Sequence, residues 1–218
     1  MQKDEVITIT AGQVRLEGSI FIPPDALGLV IFAHGSGSGR YSPRNRFVSN
    51  ELNQHKIATL LIDLLTPEEE IIDDQTRELR FNIPLLAERL LAFYRYYQTQ
   101  PATKHLKIGY FGASTGGGAA LLAAAQEPKN IAAVVSRGGR PDLAGNSLSQ
   151  VLAPTLLIVG GDDHQVLQLN ESALNLLNNK SKLEVILHAT HLFEELGALE
   201  QVAKLATDWF SKHFTESV

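Results

Sequence analysis

Cysteine is absent from all 218 residues, so the chain has no disulfide, no thiolate metal site and no sulfur nucleophile. Any covalent catalysis must use another atom. Excess positive charge is missing as well: 19 basic residues stand against 24 acidic ones, a formal charge of −5, which argues against a protein that holds nucleic acid by neutralising phosphates. No apolar run approaches the roughly 20 residues that a membrane helix needs. The segment MQKDEVITIT alternates in polarity and lacks the basic-then-apolar pattern of a secretion signal, so a cytoplasmic protein with no membrane partner is expected. Internal repeats, low-complexity tracts and Pro/Ser/Gly linkers are also lacking. Hydrophobic residues nonetheless make up 44% of the chain, enough for a real core, and the length suits one α/β domain over residues 1–218.

Polarity alternates along 6–10 and 14–22, either side of Ala11-Gly12-Gln13, which predicts an antiparallel hairpin at a sheet edge, ended by Pro23-Pro24. Short continuous apolar runs follow at 29–33, 57–62, 108–111, 132–135 and 156–159, the pattern of strands buried on both faces. Helical stretches lie between and after them at 43–55, 84–97, 115–126 and 166–179, then a last strand at 183–187 and a helix at 198–214. This alternation predicts a doubly wound, mostly parallel sheet with helices on both faces, whose chemistry collects at the carboxyl ends of the strands.

At one such end stands Gly112-Ala113-Ser114-Thr115-Gly116, directly after the 108–111 strand and before an alanine-rich helix. This is G-x-S-x-G in the strand-turn-helix setting that lets a serine project from a sharp, strained turn. A phosphate-cradling loop is the bland alternative, but its signatures fail. Counting from Gly35 and Gly37, the third glycine of a dinucleotide fingerprint would fall at Arg40, and from Gly116 and Gly118 at Leu121. Neither loop ends in G-K-[ST].

A serine hydroxyl is a weak nucleophile until a neutral imidazole takes its proton, so a histidine and an orienting acid are required downstream. The strand at 156–159 runs into Gly160-Gly161-Asp162-Asp163, and Asp163 is chosen over Asp162 as the acid. The last strand leads to His188-Ala189-Thr190-His191, where His191, deeper in the loop, is chosen as the base over His188. Asp162, Asp163, His164, His188 and His191 could instead ligate zinc or manganese, but their spacing fits no helix metal motif and this reading leaves the elbow unexplained.

These residues give the chain its resemblance to the α/β-hydrolase superfamily, in particular its small, capless dienelactone-hydrolase-like group. The resemblance spans nearly the whole length and rests on His34-Gly35-Ser36-Gly37, the 112–116 elbow, Gly161-x-Asp163-x-x-Val166 and Thr190-His191. It implies Ser114 as nucleophile, Asp163 as acid and His191 as base, with the backbone N–H groups of Ser36 and Thr115 forming an oxyanion hole. His34 shapes its loop and transfers no proton. One departure is that the best-known dienelactone hydrolases carry a cysteine nucleophile and a different oxyanion loop.

The expected activity is that of a serine esterase that cleaves small carboxylic esters or lactones through an acyl-enzyme, with no metal or organic cofactor and a small-molecule ester as substrate. A thioesterase or acyltransferase with the same triad, or a catalytically silent binding module, are the competitors. The segment 137–153 is too short for a cap domain, so an open site is expected. Its walls are placed at 40–46, in a loop over 63–80, at 137–143 and at Leu192-Phe193. Arg40, Arg137 and Phe193 are the candidate substrate-binding residues. Arginine's planar fork suits an anion, but the favoured reading is that the rim arginines cap loops or pair with the acidic stretch 68–74, whose 68–70 run reads as a solvated loop or helix start.

Overall fold

The computed structural model describes residues 4–216. The paired strands β1 (Glu5–Ala11) and β2 (Val14–Phe21) form the expected antiparallel hairpin. Six further strands follow: β3 (Gly28–Ala33), β4 (Ala58–Ile62), β5 (Lys107–Ala113), β6 (Ile131–Arg137), β7 (Thr155–Gly160) and β8 (Lys182–Ile186). They build one eight-stranded sheet in the order β1-β2-β4-β3-β5-β6-β7-β8, parallel from β4 to β8 and antiparallel where β2 meets β1 and β4. This is the α/β-hydrolase fold, without a cap: between β6 and β7 lies only a short 3₁₀ segment, Pro141–Gln150.

Every residue of β3, β4 and β7 is buried, which is why those strands read as unbroken apolar runs. Helices α1 (Pro43–Gln54) and α6 (Ala198–Thr215) cover one face, burying Val48 and Leu52 with Val202, Phe210 and Phe214 against Val30, Phe32 and Phe111. The opposite face carries α3 (Ile83–Thr99), α4 (Thr115–Gln126) and α5 (His164–Leu174). Helix α4 is buried almost throughout, and its run Thr-Gly-Gly-Gly-Ala-Ala lets it lie close on the sheet.

The expectation of a loop over 63–80 is corrected, because α2 (Pro67–Thr76) occupies its centre. Its start is a capping box in which the Thr66 side chain accepts from Glu69 N–H while the Glu69 carboxylate accepts from Thr66 N–H. Glu69 also pairs with the buried Arg89 of α3, which ties the helix to the body. The helix expected over 166–179 begins two residues earlier and ends at Leu174. Past that point Asn178 leaves the helical path so that its amide can donate to the carbonyls of Val151 and Ala153. The last strand stops at Ile186, leaving His188 exposed in a turn at φ 60°.

Candidate active site

The turn after β5 places Ser114 in a conformation that non-glycine residues rarely adopt, φ 51° and ψ −122°. Such a backbone persists only where its surroundings hold it. Ser114 N–H donates to Arg137 O at 3.2 Å, and Ser114 O accepts from the N–H groups of Gly117 and Arg140 at 2.9 and 3.0 Å. As the N-cap of α4 the serine makes no side-chain cap bond, so its hydroxyl is not spent on its own helix. The tight turn needs bare glycines beside it: a Cβ on Gly116 would lie 2.2 Å from Ala33 O and 2.5 Å from His34 O.

That close approach brings the loop after β3 onto the start of α4. Ser36 Oγ and Thr115 Oγ1 lie 3.1 Å apart, within hydrogen-bond distance, so the two expected oxyanion residues are neighbours. His34 holds the loop: its Nδ1–H donates to Gly35 O and its Nε2 accepts from Leu64 N–H at 3.0 Å, an arrangement that uses the neutral ring. Burial pushes the His34 pKa below its ordinary value, against smaller upward pulls from the Gly35 carbonyl and Asp63.

Asp163 and His191 come from adjacent loops at the β7 and β8 ends. The loops are joined by Gly161 N–H to Ile186 O and Asp162 N–H to Ala189 O, at 2.8 and 3.0 Å. Gly160 permits this, since a Cβ there would meet Ala189 O at 2.3 Å. Asp163 Oδ2 accepts from His191 Nδ1 at 2.6 Å, while Asp162 is exposed and makes no side-chain hydrogen bond among the described residues. With Nδ1 held by the carboxylate, Nε2 is the free ring nitrogen. His191 lies against Gly138, where a Cβ would sit 3.4 Å from Nδ1, and Gly138 follows the residue whose carbonyl anchors Ser114. No hydrogen bond joins Ser114 Oγ to the ring in this structure; such contacts often tighten only around a bound substrate.

The model of the dienelactone hydrolase family matches residues 46–214, more than three quarters of the chain. The chain belongs to the dienelactone hydrolase family. A dienelactone hydrolase from Anabaena variabilis is 56% identical, with a TM-score of 0.95 over 98% of this chain and 99% of that one. Est1E from Butyrivibrio proteoclasticus shares the fold at 17% identity and TM-score 0.80, covering 97% of this chain and 99% of its own. A Mycobacterium tuberculosis protein provisionally named a phosphoribosyl transferase is 56% identical over 211 residues, which are 97% of this chain and 47% of that protein. The chain thus spans about half the length of the curated relatives it matches. No helix among the described residues is long and apolar enough to cross a membrane.

Beside the loop after β3 this dienelactone hydrolase-family chain has a cavity of about 610 Å³, bounded by Ser36, Arg40, Asp63, Glu70, Arg80 and Thr115 among others. Partial burial, and then the charges of Asp63 and Asp74, push the Glu70 pKa above its ordinary value. Helix α2 supplies this wall; the run 68–70, read in sequence as solvated loop or helix start, is its first turn, and the capping signature Thr66-Pro67-Glu68-Glu69 was the signal that decides between them.

The rim arginines divide sharply. Arg40 lines the cavity but is held by Asp63 and Glu17, Arg46 by Asp4, Arg140 by Asp142, and Arg80 by Asp73 and Asp74. Arg137 has no such partner among the described residues and is buried, and burial followed by the charge of Arg44 pushes its pKa down to about 10. Phe193, expected on the wall, is corrected to a core position. At φ 56° its backbone turns the ring inward, leaving it 1% exposed among Phe111, Ile158 and Val202. Gly138, which seats His191, drew no notice in the sequence; its signal was the Gly138-Gly139 pair at a strand end. Among the described residues no group of three or more His, Asp and Glu side chains is arranged to hold a metal ion.

Proposed function

We propose that the chain is a serine hydrolase that cleaves small carboxylic esters or lactones through an acyl-enzyme. Ser114 Oγ attacks the carbonyl carbon as His191 Nε2 takes its proton, and Asp163 holds the ring and stabilises the imidazolium that forms. Charge that develops on the carbonyl oxygen is received by the N–H groups of Ser36 and Thr115 and by the positive end of α4. The alcohol leaves with the proton from His191, and water activated by the same nitrogen then frees the acid. Nucleophile, base and oxyanion donors all come from the chain, so this reading calls for no metal or organic cofactor. It acts on a small-molecule ester in the cytoplasm, apart from nucleic acid and membrane.

The observation that carries the proposal is the 2.6 Å bond from Asp163 to His191, beside a serine whose strained turn leaves its hydroxyl uncommitted. The transferase name of the longer mycobacterial protein belongs, in this reading, to the half that this chain does not cover.

Labelling by a fluorophosphonate probe tests the reading, since only an activated serine reacts at an appreciable rate. We expect labelling of the native chain, none in Ser114→Ala and strongly reduced labelling in His191→Ala, together with turnover in a screen of p-nitrophenyl esters of increasing chain length. Labelling that persists in Ser114→Ala, or a native chain inert to the probe, overturns it.

A further inference from the structure

Helix α5 buries three residues along one stripe, Val166, Asn170 and Ala173, and the middle one carries an amide where such a stripe calls for an apolar side chain. Asn170 is wholly closed to solvent. Its Nδ2 donates to Val166 O at 2.8 Å and to Gly139 O at 3.0 Å, while its Oδ1 is buried with no hydrogen-bond partner among the described residues. Both neighbours on the donating side are carbonyl oxygens, which fixes that side as the nitrogen. An orphaned buried acceptor offsets much of what a hydrogen bond returns, so stability alone gives little reason for an amide here. The bond to Val166 stays inside the helix. Only the bond to Gly139 reaches another segment.

The two ends of that bond belong to different parts of the site. Asp163 is the N-cap of α5: its carbonyl accepts Leu167 N–H at 2.9 Å, and its carboxylate, which makes no cap bond, accepts from His191 Nδ1 at 2.6 Å. Asp163 and His191 are therefore tied to the helix that carries Asn170. At the other end, Gly139 stands between two residues that already touch the site. Gly138 lies against the His191 ring, and Arg140 N–H donates to Ser114 O at 3.0 Å. Gly139 has no slack of its own, since a Cβ on it would stand 1.9 Å from Ser136 Oγ, and a Cβ on Gly117 in the first turn of α4 would lie 3.0 Å from the Gly139 Cα. The loop 138–140 is thus pressed onto the Ser114 turn. Among the described residues, Asn170 makes the one side-chain hydrogen bond that joins α5 to this loop.

We propose that Asn170 is a positioning residue that sets the Asp163–His191 pair at its working distance from Ser114. The inference rests on the hydrolase reading of the Ser114 site and goes beyond it by assigning a role to a residue that touches neither substrate nor reacting atoms. Through Gly139 the amide locks the helix behind Asp163 to the loop that holds the Ser114 backbone, so the distance from His191 Nε2 to Ser114 Oγ is fixed from behind. A buried hydrogen bond has the direction that apolar packing lacks.

The test is a double-mutant cycle on p-nitrophenyl butyrate hydrolysis. Asn170→Leu fills the stripe with a side chain of similar size and removes the bond together with the orphaned acceptor. We expect its melting temperature to change little, its KM to hold and its kcat to fall by about tenfold to 100-fold, the scale of a displacement on the order of 1 Å. In a His191→Ala background the same substitution should leave the residual rate unchanged, because no imidazole remains to be placed. Native kcat in Asn170→Leu overturns the proposal. So does a loss of equal size in the His191→Ala background, or one that tracks the folded fraction, either of which makes Asn170 a structural residue. Asn170→Ser, too short to reach Gly139, carries the same measurements if the leucine chain does not fold. Should the native chain turn over no ester, the hydrolase reading fails separately and hydrogen exchange reads the tie. Faster exchange of the Gly138 and Arg140 amides in Asn170→Leu at an unchanged melting temperature then supports it, and native exchange overturns it.

Discussion

Replacing Gly116 by alanine tests whether the loop after β3, the proposed oxyanion loop, and the start of α4 meet as closely as described. The new Cβ would stand 2.2 Å from Ala33 O and 2.5 Å from His34 O, where ordinary van der Waals contact begins at 3.4 Å. Both obstacles are backbone, so no side chain can swing aside. The loop and the helix must part by about 1 Å, and because Ser36 and Thr115 sit on opposite sides of that seam, their N–H groups part with it. Displacement on this scale costs on the order of 100-fold in rate, comparable to removing one oxyanion donor. Overpacking costs about 1–3 kcal/mol, which for a chain of this size lowers the melting temperature by roughly 2–12 °C. Steady-state ester hydrolysis, fluorophosphonate labelling rates and calorimetry measure the three consequences together. A Gly116→Ala protein with native rates and a native melting temperature would refute the argument, because the seam would then have room that the structure denies.

Two further outcomes follow from the same geometry. Asp163→Asn should lower kcat by about 10³- to 10⁴-fold, because an amide does not hold His191 in the tautomer that leaves Nε2 free; Asp162→Asn should change it little, and steady-state kinetics on both variants would expose a wrong choice of acid. His34 concerns stability: its folded pKa is depressed below 6.5, so as pH falls through that value the unfolded chain takes up a proton that the folded chain refuses. Stability is therefore fully present above about pH 6.5 and declines below it until the folded pKa is reached. Urea unfolding at pH 7.5 and 5.0 should show a smaller acid loss for His34→Gln, and an unchanged loss contradicts the assignment.

The parallel strands were legible because burial on both faces leaves continuous apolar runs, as in β3 and β7, and the elbow because its glycines are a steric requirement that writes itself into the sequence. Asp163 was chosen over Asp162 and supported by the Gly161-x-Asp163-x-x-Val166 pattern of the family resemblance. Helix α2 was legible only as a possible start at 68–70, because Asp73 is its only buried residue and Ile71 and Ile72 face outward, so no apolar period marks its length; only its capping box does. Phe193 escaped for another reason, as a positive φ at a bulky residue is imposed by the loop and has no local sequence signal. The arginines could not be sorted at all, since whether a guanidinium is engaged depends on carboxylates brought from distant segments, Glu17 and Asp63 for Arg40 and none for Arg137.

The stitching of the β7 and β8 loops has a mechanical consequence. Asp163 and His191 ride on one bracket at the end of the sheet, whereas Ser114 is carried by an interior strand. Flexing of that outer margin would carry Asp163 and His191 together, toward or away from Ser114, with their mutual bond intact. Substitutions far out on β8 could therefore slow proton transfer while leaving the acid–base couple spectroscopically unchanged.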